Sequence, residues 1–61
     1  MNKSPATKLR NAVVSEIVRR YRAEYGVTLT RSDARAMLRG EARSEQYAFA
    51  VKVADEWGLA R

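Results

Sequence analysis

Apolar residues return every third or fourth position through three stretches of the chain, and a glycine closes each stretch. That spacing is the signature of amphipathic helices, and glycine past the last apolar position is their usual stop. The first stretch carries Leu9, Val13, Ile17 and Tyr21 on one stripe, widened by Val14, Val18 and Tyr25. Lys8, Ser15, Arg19 and Arg22 fall on the opposite face. Ser4-Pro5 reads as an N-cap followed by proline at the first helical position, where its missing N–H is not needed. Met1 to Ser4 is then a short basic arm, and Gly26 ends the helix. Glu16 with Arg20, and Arg20 with Glu24, stand four apart and add ion pairs along the helix.

The second stretch is short. Thr30-Arg31-Ser32-Asp33 has the form of a capping box, with Asp33 in place of the more common Glu or Gln. It predicts a helix from Arg31 to Arg39, stopped by Gly40, with Ala34, Met37 and Leu38 turned towards a core. Val27 and Leu29 in the preceding connector are expected to plug that core. After Glu41-Ala42-Arg43, Ser44 is expected to cap a third helix running to about Trp57. Tyr47, Ala50, Val53, Ala54 and Trp57 share its inward face, and Glu45, Lys52, Asp55 and Glu56 share the outward one. Phe49 and Val51 flank the apolar face and widen it beyond what a small monomer needs, which marks them as candidate dimer contacts. Gly58 stops this helix, and Leu59-Ala60-Arg61 is a tail. The fold expected is an all-α, compact three-helix bundle over residues 5–59 with a helix-turn-helix-like core, or four helices if the first stretch breaks.

Length makes this fold a marginal one. A chain of 61 residues forms one small core and buries only about 60% of its unfolded surface. It has no Cys and no His, so disulfides, thiolate metal sites and the usual general base are all missing. The carboxylates are scattered, and adjacent Asp55 and Glu56 diverge by about 100° on a helix. No glycine-rich loop opens a helix. Enzyme activity, a cofactor, a metal and a small-molecule substrate are therefore not expected. No apolar run nears a membrane span, and nothing resembles a secretory leader. A cytoplasmic, nucleoid-associated setting in a bacterial or phage-infected cell follows from the basic charge and the expected partner.

Charge changes the picture most. The formal net charge is +5, with twelve basic residues of which nine are Arg. Arg matches phosphate oxygens and guanine edges with a planar fork, whereas Lys is a point charge. A genome rich in G and C raises Arg, Ala and Val together, but it does not dictate spacing. Arg31, Arg35, Arg39 and Arg43 recur every fourth residue, so the first three form a ridge along the second helix. Ser32 and Ala36 beside it are small enough to let a partner approach closely. Such a helix suits the major groove of duplex DNA. Arg35, Arg39, Ser32 and Ala36 are the groove-facing set; Arg31 and Arg43 are placed for flanking phosphates, and Lys3, Lys8, Arg19 and Arg22 for extending that footprint. A homodimer would suit two-fold sites.

Gly26-Val27-Thr28, Leu38-Arg39-Gly40 and Ala54-Asp55-Glu56-Trp57-Gly58-Leu59 together give the stretch from Tyr25 to Leu59 a family likeness. It resembles the second half of a lambda-repressor-like helix-turn-helix domain of the small phage and plasmid regulator type. The resemblance implies that Arg31 to Arg39 is a recognition helix supported by Val13 to Tyr25, in a small transcriptional regulator of a mobile element. The competing reading is a small helical protein-interaction module, a phage-type inhibitor or adaptor, that sets the same ridge against an acidic protein surface.

Overall fold

A computed structural model describes residues 5–59, and the expected arm at 1–4, with Lys3 and the Ser4 cap, and residues 60–61 lie outside that range. Three helices make up the domain: α1 (Pro5–Tyr25), α2 (Arg31–Leu38) and α3 (Ser44–Glu56). Each packs on the other two. The result is an all-α three-helix bundle with no strand among the described residues. α1 runs unbroken for 21 residues, so no fourth helix forms. No helix among the described residues is long and apolar enough to cross a membrane.

The core draws on all three helices. Val13, Val14 and Ile17 come from α1, Ala34, Met37 and Leu38 from α2, and Ala50, Val53 and Ala54 from α3. Leu29 and Leu59 seal it from the segments that enter α2 and leave α3. These are the 3.6-residue stripes of the sequence, narrowed to their central positions.

Both ends of α2 are fixed by local hydrogen bonds. Asp33 N–H donates to Thr30 Oγ1 at 3.0 Å, and Thr30 N–H donates to Asp33 Oδ2 at 3.1 Å, completing the capping box. At the other end Glu41 N–H reaches Ala36 O at 2.9 Å and Gly40 N–H reaches Met37 O at 3.2 Å, the paired bonds of a Schellman stop. Gly40 sits at φ 78°, a left-handed conformation costly to any residue with a Cβ. α3 closes the same way, through Leu59 N–H to Ala54 O and Gly58 N–H to Asp55 O. That turn drives Leu59 inward, so Leu59 is a core residue and not part of a tail.

Four apolar residues lie further out than their periodicity implies. Tyr25 is 60% exposed because the last turn of α1 overshoots the core; its ring rests against Tyr21 and Phe49, with centroids 4.7 and 6.0 Å away. Trp57 is the C-cap of α3, where Leu59 takes the inward place. Val27 points to solvent and only Leu29 fills the core from that connector. Tyr47 is 40% exposed and lies over Gly40. Ser44 differs too: it is the first helical residue, and Arg43 is the N-cap, with no side-chain capping bond.

Replacing Thr30 by Ala removes the Oγ1 acceptor of the Asp33 N–H, leaving only the bond from the Thr30 N–H to Asp33, and is expected to cost about 1 kcal/mol. In a domain of this size that lowers the melting temperature by roughly 4–8 °C. Ser44→Ala is expected to change stability by less than about 0.5 kcal/mol, since Ser44 caps nothing. Circular-dichroism melts of the two variants check both values.

Candidate nucleic-acid interface

With Ala34, Met37 and Leu38 buried, the roll of α2 about its own axis is settled. Ser32, Arg35 and Arg39 are exposed, and Ala36 is half-buried beside them. The ridge expected from the four-residue spacing therefore exists as a surface feature. Its members do not share one environment, however.

Arg31 is tied to α1. One of its terminal nitrogens donates to Ser15 Oγ at 2.6 Å and the other to the Asn11 carbonyl at 3.2 Å. A guanidinium has five N–H donors, so three remain to face outward from an arm already held in place. Arg35 has no ion pair and no side-chain hydrogen bond among the described residues. Arg39 donates to Glu41 Oε1 at 3.1 Å, which holds the Glu41 carboxyl below its ordinary range. Arg43 stands 3.7 Å from Glu45. Both pairs are largely exposed, and such pairs contribute about 0–1 kcal/mol, so an incoming anion can displace the carboxylate.

The contact of Arg31 with Ser15 also joins two basic surfaces. Lys8, Ser15 and Arg22 stand seven residues apart, two helical turns each, and so follow one line along α1. Lys8 and Arg22 are exposed, and this line adjoins the N-terminal end of α2. The opposite flank of α2 is different. Asp33 and Glu41 border a shallow hollow there with Ala36, Met37, Gln46 and the cationic Arg43. The α1 side of α2 thus carries the cations Lys8, Arg22 and Arg31, whereas the other flank mixes Asp33 and Glu41 with Arg43.

Arg19 falls outside this arrangement. Its Nε and one terminal nitrogen grip both oxygens of Glu16, at 2.9 and 2.6 Å. Arg20 donates to the same carboxylate at 2.6 Å and reaches Glu56 of α3 at 2.8 Å, not the neighbouring Glu24 that sequence spacing suggested. Glu16 is the hub of this cluster, its side chain only 13% exposed. The hydrogen bonds from Arg19 and then Arg20 pull its carboxyl from the ordinary 4.5 down to about 2. Arg19, a predicted phosphate contact, is thus engaged by a carboxylate of its own helix through two hydrogen bonds.

Phe49 and Val51 are both half-buried. Phe49 packs edge-on against Tyr21 at 5.2 Å and lines a groove between α1 and α3. Asn11 and Ser15, which anchor the ridge, were not singled out by the sequence pattern. Only the spacing of Ser15 from Lys8 and Arg22 hints at it. No protein-family model, curated protein or solved structure matches this chain.

The Glu16 cluster gives the fold an acid dependence of definite sign. Its folded pKa lies below the unfolded value, so its contribution is complete above about pH 4.5 and is lost as pH falls towards 2. Melting temperatures measured between those limits are expected to fall more steeply for the wild type than for Glu16→Gln. Parallel curves would show that the cluster contributes nothing to folding.

Proposed function

We propose that this domain binds duplex DNA with α2 in the major groove, as a small regulator or architectural factor of a mobile element. The observation that carries the reading is Arg35: an exposed, unpaired guanidinium amid a surface of small and basic side chains. A free fork of this kind matches the O6 and N7 acceptors of guanine. Arg31, held by Ser15 and Asn11, is suited to a flanking phosphate because its position does not depend on the ligand. Lys8 and Arg22 extend the phosphate track along α1, and Asp33 and Glu41 bound it on the far side. Arg39 and Arg43 join once their exposed carboxylate partners are exchanged for phosphate. Ser32 and Ala36 allow the helix backbone to come near base edges.

A second reading has one observation in its favour. Tyr47 rests on Gly40, next to Arg39, and a half-exposed aromatic beside Arg is what an acidic protein groove would engage. α2 itself offers no aromatic anchor, and the track of cations across two helices fits a regularly charged polymer better than a compact acidic patch.

Fluorescence anisotropy with a mixed-sequence duplex at several salt concentrations tests the proposal. With about five phosphates contacted, the slope of log affinity against log salt is expected near −4 to −5. Lys8→Ala should reduce that slope by about 1 and weaken all sequences alike. Arg35→Ala should cost about 1–3 kcal/mol on a selected site and relax preference at one base pair. Absence of binding at low salt would overturn the DNA reading and direct attention to an acidic protein.

A further inference from the structure

The groove between α1 and α3 lies on a different side of α1 from the Lys8, Ser15 and Arg22 line. It encloses about 190 Å³ and is lined by the apolar Ala23, Phe49 and Val53 and the charged Arg20, Glu24 and Lys52. These charges are not used alike. Arg20 is committed to Glu16 and Glu56, whereas Glu24 and Lys52, one on each wall, have no ion pair among the described residues. Tyr25, whose ring lies tilted against that of Phe49, is the most exposed large apolar side chain of the described residues, at 60%.

We infer that this groove is the contact surface of a two-fold homodimer, in which the α1–α3 face of one copy covers the same face of the other. A two-fold interface is self-complementary: if Glu24 of one copy meets Lys52 of the second, symmetry makes the reciprocal pair as well. Glu24 on one wall and Lys52 on the other, neither in an ion pair among the described residues, meet that condition when the two-fold axis runs along the groove. Ala23 at the centre of the contact lets the two α1 helices approach closely. Tyr25 then loses its exposure against the second copy. Of the two dimer contacts expected from sequence, Phe49 lies in this surface, and Val51, on the other flank of α3, lies outside it. The contact leaves α2 and the basic line of α1 free on both copies. The inference goes beyond DNA binding and stands or falls without it.

Sedimentation equilibrium of the full chain without DNA, from about 5 to about 500 µM, decides the matter. The weight-average mass is expected to rise from one chain to two across that range. Glu24→Lys and Lys52→Glu, each alone, place like charges opposite one another and should weaken association by about tenfold or more. The double variant carrying both changes restores opposite charges and should recover dimerisation. Circular-dichroism melts identify any variant that fails to fold, and the double variant, which keeps the wild-type net charge, remains the deciding sample. A monomer throughout the range would overturn the inference, as would a double variant that folds but stays monomeric. Arg35→Ala should dimerise as the wild type does, so loss of DNA binding and loss of pairing are read independently.

Discussion

An eight-residue helix is well short of the length at which a helix is stable alone in water, roughly 12–15 residues. α2 exists because its ends and one face are all secured at once. The capping box satisfies donors at Thr30 and Asp33, the Schellman bonds satisfy the carbonyls of Ala36 and Met37, and Ala34, Met37 and Leu38 are buried. The candidate interface inherits its geometry from this arrangement. With three anchoring side chains in eight residues, α2 has little freedom to roll, and the outward set of Ser32, Arg35 and Arg39 is fixed by the inward set. Anything that loosens the cap or the core contact would blur the ridge before it removed a single Arg.

The charges divide along the same lines. Glu16 takes both Arg19 and Arg20, and through Arg20 the cluster reaches Glu56, binding α1 to α3. Arg19 and Arg20 are thus used within the fold. On the α2 side, Arg35 is unpaired, Arg31 is held by neutral oxygen acceptors, and Arg39 and Arg43 have only exposed partners. Arg31, Arg35, Arg39 and Arg43 therefore stand on the α2 side, while Arg19 and Arg20 are engaged by carboxylates on the other.

Much of this was legible in the sequence because it rests on local rules. The stops at Gly26, Gly40 and Gly58 come from a backbone preference that a single residue type reveals, and all three sit at positive φ. Those same glycines account for much of the likeness to helix-turn-helix repressors, since each closing motif contains one. The capping box of α2 was equally visible, four residues that bond to one another. What periodicity could not supply was where the core ends. Tyr25 and Trp57 lie in phase with buried positions, but each falls at the end of its helix, beyond the neighbours that would cover it. The partners of Arg31 and Arg20 were hidden for a related reason: Asn11, Ser15 and Glu56 are distant in sequence and become neighbours only when helices pack.

The ridge also has a cost that a purely structural role does not explain. Arg31 with Arg35, and Arg35 with Arg39, are like charges four apart, each pair opposing the helix by about 0.2–0.5 kcal/mol. In a helix as short as α2 that penalty falls where there is least margin. Asp33 offsets part of it at the N-terminus, where a carboxylate favours the helix dipole, and Ser15 and Asn11 hold Arg31 without neutralising it. A polyanion laid along the ridge would remove the repulsion outright. Because the ridge is assembled only in the folded chain, such a ligand would favour folding by mass action. The charges that add to the marginality of so short a helix are thus the ones through which a bound polyanion would stabilise it.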